Sequence, residues 1–150
     1  KESLKANGET ILLELAPRDP RSLLQGDYMA LNYRLHNELG RKRELRGHRG
    51  QIVIKKDDNG VAKLDRIYNG EDLAENERLL RFNFSGRRPE VATHSFFFQE
   101  GKAKAFEAAR YGIFKLDSDG NLMLVDLADE NREPISPKAY NKEQPTDNAQ

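Results

Sequence analysis

The sequence predicts an α+β domain: a mostly antiparallel, curved sheet or partly closed β-barrel with one packed helix at about 102–111. Three observations carry that prediction. Apolar residues alternate with polar ones in several short runs, the period of a half-buried strand. Two of the gaps between runs end in Asn-Gly or Asp-Gly, the strongest short-range hairpin signal. One segment only, Lys102 to Tyr111, places Ala105, Phe106, Ala108 and Ala109 at helical spacing.

The elements follow in order. Residues 9–16 form a first strand, with Ile11, Leu13 and Leu15 on one face. Pro17 and Pro20 then interrupt regular structure, and Gly26 offers a positive-φ position. From Met29 the alternation resumes: Met29, Leu31, Tyr33 and Leu35 share a face, so a strand is expected to about Leu35, with continuation toward Leu39. Tyr33 is expected to be buried and Tyr28, on the opposite face, to be the better contact residue. Residues 41–49 carry five Arg or Lys and read as a solvated loop, with a phosphate or acidic-lipid contact as the functional alternative.

Strands on either side of Asp57-Asp58-Asn59-Gly60 make one hairpin, and strands flanking Asp117-Ser118-Asp119-Gly120 make another. Leu80, Phe82 and Phe84 mark a strand between them. Phe96, Phe97 and Phe98 put aromatic groups on both faces of a further strand, the pattern of a central strand covered on both sides. Residues 1–128 are expected to form a single domain. From 129 to 150 the composition turns polar, with three prolines and no apolar period, and a mostly disordered tail is expected.

Composition excludes several function classes. The 25 basic and 25 acidic residues balance, which gives no electrostatic case for nucleic acid. No Cys is present, so disulfides, thiolate metal sites and cysteine nucleophiles are out. His36, His48 and His94 stand too far apart in sequence for a local metal motif, and no metal or cofactor is expected. The acidic turn 117–120 hints at calcium but lacks the EF-hand ligand spacing. Gly-x-Ser-x-Gly is absent, and no Gly-rich loop precedes a helix.

Carboxylates at strand ends remain as candidates. Asp19, Asp27 and Glu100 all adjoin Pro or Gly. Asp27 after Gly26 can accept the amides of its own turn, Arg21 can clamp it with a two-bond contact, and Asp19 before Pro20 can start the turn. That cluster reads first as a structural loop that presents Arg21, Asp27 and Tyr28. Convergence of Asp27 with Glu100 would instead make an acid/base pair for a hydrolase or glycan-binding enzyme. A small-ligand sensor would show an apolar pocket lined by Phe96, Phe98 and Tyr111.

Gly26-Asp27-Tyr28-Met29-Ala30-Leu31-Asn32-Tyr33 resembles the GDYxxLxY motif of a family of bacterial membrane-anchored proteins. Asp19-Pro20-Arg21-Ser22-Leu23 and Phe97-Phe98-Gln99-Glu100-Gly101 also look like that family. The resemblance, which covers roughly residues 1–128, marks Asp19, Arg21, Gly26, Asp27, Tyr28, Leu31, Tyr33 and Glu100 as motif positions. It carries no reaction with it. It implies an envelope location, with the domain outside the cytoplasm and periplasmic in a Gram-negative host. It also implies a single transmembrane helix, removed here, ahead of the Lys1–Thr10 entry, and a multi-spanning membrane protein as partner. The expected function is a protein-interaction or assembly module.

Overall fold

The computed structural model describes residues 8–17, 24–25, 28–99 and 101–135. Ten strands occur among them, in three antiparallel sheets. The first sheet is β1 (Glu9–Glu14), β9 (Tyr111–Leu116) and β10 (Leu122–Ala128), with β9 in the middle. The largest has the order β5 (Ala62–Ile67), β4 (Arg49–Lys56), β6 (Glu77–Ser85), β7 (Arg88–Glu90). The smallest is β2 (Leu24–Gln25), β3 (Tyr28–Ala30) and β8 (Ser95–Phe97). Together they curl into a half-barrel, the antiparallel α+β architecture that the alternation implied.

Two contacts bend the large sheet and the β1 sheet toward each other. The Leu12 amide donates to the Gly60 carbonyl at 2.9 Å beside a parallel bridge from Leu12 to Val61. On the other side the β9–β10 turn docks on β6: the Arg81 amide donates to the Gly120 carbonyl at 2.9 Å, and Arg81 Nε donates to the Asp119 carbonyl at 2.8 Å. The core fills the space between, with Ile11, Leu13, Met29, Tyr33, Leu39, Ile52, Ile54, Leu80, Phe114 and Leu127 fully buried.

Both hairpin turns form where expected, on one pattern. Asp57 Oδ1 accepts the amides of Asn59 and Val61, and Asp117 Oδ1 accepts those of Asp119 and Asn121. A third loop of this kind follows β10. Asp129 Oδ1 accepts the amides of Asn131 and Glu133, with Arg132 at φ 66° in the place that glycine takes in the other two. It returns the chain along β10, where Ile135 donates its amide to the Leu127 carbonyl. The folded unit therefore runs past residue 128 to at least Ile135.

Three expectations need correction. The strand expected to run to Leu35 or Leu39 ends at Ala30, with only an isolated bridge at Tyr33 beyond it. Arg34–Gly40 is the α-helix α1, with Leu35, His36 and Leu39 buried. Leu31, Leu35 and Leu39 also recur every four residues, so this stretch fits both periods. The helix prevails because Leu35 and Leu39 reach the core from one helical face. Ala103–Ala108 is a 3-10 helix and not an α-helix. Within it only Phe106 is buried, and six residues with one anchor bury too little to support an α-helix. Finally, β8 is not covered on both faces: Phe97 on it is 48% exposed.

The docked turn sets a test. Gly60 and Gly120 share the positive-φ region, at 81° and 89°. A methyl group on Gly60 would meet only the Leu12 Cδ1 at 3.9 Å, whereas on Gly120 it would press on the Arg81 nitrogen and the Leu79 oxygen, each at 3.2 Å. Gly60→Ala should cost about 1–2 kcal/mol from backbone strain alone. Gly120→Ala should cost at least ~1 kcal/mol more, because strand β6 must shift. Urea denaturation of the two variants measures this, and equal losses would contradict a load on the docked turn.

Candidate functional site

Five of the eight motif positions, Asp19, Arg21, Gly26, Asp27 and Glu100, lie outside the described residues, so neither the Arg21–Asp27 clamp nor the Asp27–Glu100 pair has a geometry here. Tyr28, Leu31 and Tyr33 are described. Leu31 and Tyr33 are buried with Met29, while Tyr28 on the opposite face is half-buried.

Four hydrogen bonds tie residues 91–94 to this region, two from the end of the motif and two to His36 of α1. The Leu31 amide donates to the His94 carbonyl at 2.7 Å. The Tyr33 hydroxyl donates to the Thr93 carbonyl at 2.8 Å. The amides of Val91 and Ala92 both donate to His36 Nε2, at 3.1 and 3.3 Å. Tyr33 also meets the His36 ring edge-on at 5.1 Å and the Phe114 ring at 5.7 Å, and it bridges to Leu15 of the first sheet. Burial pushes its phenol pKa far up, so it remains a neutral donor.

This clasp brings together two histidines 58 positions apart. The rings of His36 and His94 lie 5.1 Å from centroid to centroid. His36 is 3% exposed. Its Nε2 accepts two amides, so in the neutral ring Nδ1 carries the proton, and that Nδ1 has no hydrogen-bond partner among the described residues. His94 Nε2 is likewise unpaired. Burial first, then His94 and Arg88, push the His36 pKa from 6.5 down to about 4. His94 is lowered by burial and Arg88, against the opposing pull of Glu90 and a hydrogen bond with the Leu31 backbone. Both histidines border a cleft of about 650 Å³ between α1 and the β6–β7 turn, which Arg41, Arg87 and Arg88 also line.

A second feature lies on the outer face of β3 and β8. The Tyr28 and Phe97 rings pair across the strands, 5.9 Å apart and tilted by 38°. Phe96 and Phe98 point the other way and close on Phe106, at 5.0 and 5.4 Å. Both are buried, so they form core and not the wall of a sensor pocket with Tyr111.

A model of the GDYXXLXY protein family matches residues 1–127, which include the clasped motif end and the strands that hold it. The chain belongs to the GDYXXLXY protein family. No curated protein matches the chain, and no solved structure does.

The described end of the GDYXXLXY motif thus divides in two: Leu31 and Tyr33, just past β3, build the interior, and Tyr28 on β3 lies half-buried on the outer face. The acidic turn at 117–120 is likewise structural, since the loop amides occupy the Asp117 carboxylate. Burial raises the pKa of that carboxyl, but hydrogen bonds from Asn121, Asp119 and Gly120 outweigh it and leave a net lowering. Glu77, 7% exposed, is held by both Arg66 Nη atoms at 2.9 and 3.1 Å. Arg66 and the Ala74 amide bring its pKa down to about 2.

The histidine pair was the feature that sequence reasoning missed. Spacing alone separates the two rings, and the only hint was that a histidine lies between Leu35 and Leu39 on a helical face.

The neutral, buried His36 makes stability depend on pH. The unfolded chain takes up a proton near pH 6.5, whereas the folded chain resists until about 4. Stability is therefore full above 6.5 and falls as pH drops toward 4, by about 3 kcal/mol over the window. His94 adds in the same direction. Glu77, with its lowered pKa, contributes stability that is lost only below its ordinary value of 4.5. Chemical denaturation between pH 6.5 and 4.5 isolates the imidazoles, and His36→Gln should flatten the slope there. An unchanged slope would contradict a buried neutral His36.

Proposed function

We propose that the chain is the extracytoplasmic domain of a membrane-anchored protein, periplasmic in a Gram-negative host. On this reading it acts as a protein-interaction or assembly module whose partner is a multi-spanning membrane protein. The location and the kind of partner rest on the membrane context that the motif resemblance implies. Among the described residues, no helix is long and apolar enough to cross a membrane.

The observation that carries the interaction reading is the aromatic pair on β3 and β8. Exposed aromatic side chains are enriched at protein interfaces, where they bury large area at small entropic cost. Phe97 is one of two large apolar residues left exposed among the described residues, and its ring pairs with that of Tyr28 across the strands. Tyr28 and Phe97 would supply the side-chain contact to the partner. The hydrolase alternative depends on Asp27 and Glu100, and no described geometry favours it.

A photo-crosslinking phenylalanine analogue at position 97 tests this, with the same analogue at exposed Lys63 on β5 as control. In membranes of the native host, position 97 should yield one discrete adduct, whose partner has several membrane-spanning segments by mass spectrometry. Adducts no more abundant than those from position 63 would contradict the interaction reading. A protease that digests the domain in intact cytoplasmic extracts but not when added to spheroplasts would contradict the location.

A further inference from the structure

Two clefts meet at His94 and differ in charge. The larger, about 900 Å³, sets Arg49 and Arg81 against Glu90. In the smaller, about 650 Å³, every ionisable side chain of the lining is an arginine or a histidine: Arg41, Arg87, Arg88, His36 and His94. Among the described residues no carboxylate lines it, although the chain as a whole is neutral. The three guanidinium groups form no ion pair among the described residues, whereas Arg34, Arg66 and Arg78 each do. Asn32, Asn37 and Ser85 add neutral polar groups to the lining.

The imidazole beneath the cleft is fixed as well. His36 is held by the Val91 and Ala92 amides in the tautomer that carries its proton on Nδ1, and that buried donor has no partner among the described residues. An unsatisfied buried donor is costly and calls for an acceptor. Guanidinium groups suit the planar or tetrahedral oxygens of a carboxylate or phosphate, and they bind them with two parallel bonds. The volume suits a small molecule.

We propose that the cleft between α1 and the β6–β7 turn binds a small ligand through an oxyanion group, a phosphate or a carboxylate, which Arg41, Arg87 and Arg88 hold beside the His36 and His94 rings. The site is independent of the aromatic pair on β3 and β8, so failure of one reading leaves the other standing.

The three histidines make the test internal, because His48 is exposed and does not line the cleft. Histidine-ring nitrogens of the ¹⁵N-labelled chain are followed by NMR during titration with inorganic phosphate and, separately, with citrate, at constant pH and ionic strength. The expected result is a saturable shift of His36 and His94 with His48 unmoved. Response to phosphate alone, to citrate alone or to both supports the site and sets its anion class. Arg88→Gln, a change at an exposed residue that should leave the fold intact, should weaken that binding by about tenfold or more, the loss of a charge-assisted hydrogen bond. Absence of saturation with either anion would overturn the proposal. So would an equal shift at His48, or unchanged affinity in Arg88→Gln and Arg41→Gln together. Binding only to phosphatidylglycerol vesicles, with no response to either soluble anion, would overturn it in favour of a membrane contact.

Discussion

The clasp between the end of the motif and residues 91–94 is the constraint on which the rest of the structure depends. Its centre is the Tyr33 hydroxyl, fully buried and bonded to the Thr93 carbonyl. Tyr33 lies three residues beyond β3, precedes the first residue of α1, bridges to Leu15 and packs on Phe114 of β9. One residue thus connects the segment before β8, the helix and the first sheet. In a low-dielectric interior, a carbonyl deprived of such a partner is expensive, which is why a phenol and not a phenyl ring suits this position. Position 91–94 in turn decides where His94 lies and which amides His36 accepts.

Much of the fold was legible in local patterns because hairpins are local. Asp-x-Asn-Gly and Asp-x-Asp-Gly each encode a turn through one carboxylate and one positive-φ residue, and the flanking alternation sets which side chains go inward. The same logic failed at 129–133, where Arg132 replaces the glycine that would have announced a third loop. At 31–40 the leucines satisfy two periods at once, and only the tertiary environment chooses between them. At 103–108 the alanines promised an α-helix, but propensity without a buried stripe gave a 3-10 turn that delivers Phe106 to the core.

The candidate site was less legible, for a physical reason. The alternation around Met29 correctly separated buried Leu31 and Tyr33 from half-buried Tyr28. The cleft, by contrast, gathers side chains from α1, the β6–β7 turn and the loop before β8. Arg41, Arg88 and His94 share no spacing, and net charge conceals them because acidic residues elsewhere balance the total. Charge segregation of this kind is a property of the folded surface, invisible to composition. The Arg66–Glu77 group shows the opposite case, in which charges neutralise one another locally and leave nothing for a ligand.

The central claim is that the Tyr33 hydroxyl holds residues 91–94 against α1. Native-state hydrogen exchange of the Val91 and Ala92 amides in Tyr33→Phe tests it most directly. The ring remains, so packing on His36 and Phe114 is retained and only the hydroxyl bond is lost. Both amides should exchange about tenfold faster or more, in proportion to the loss of one buried hydrogen bond. Exchange at the wild-type rate would show that the clasp does not depend on Tyr33.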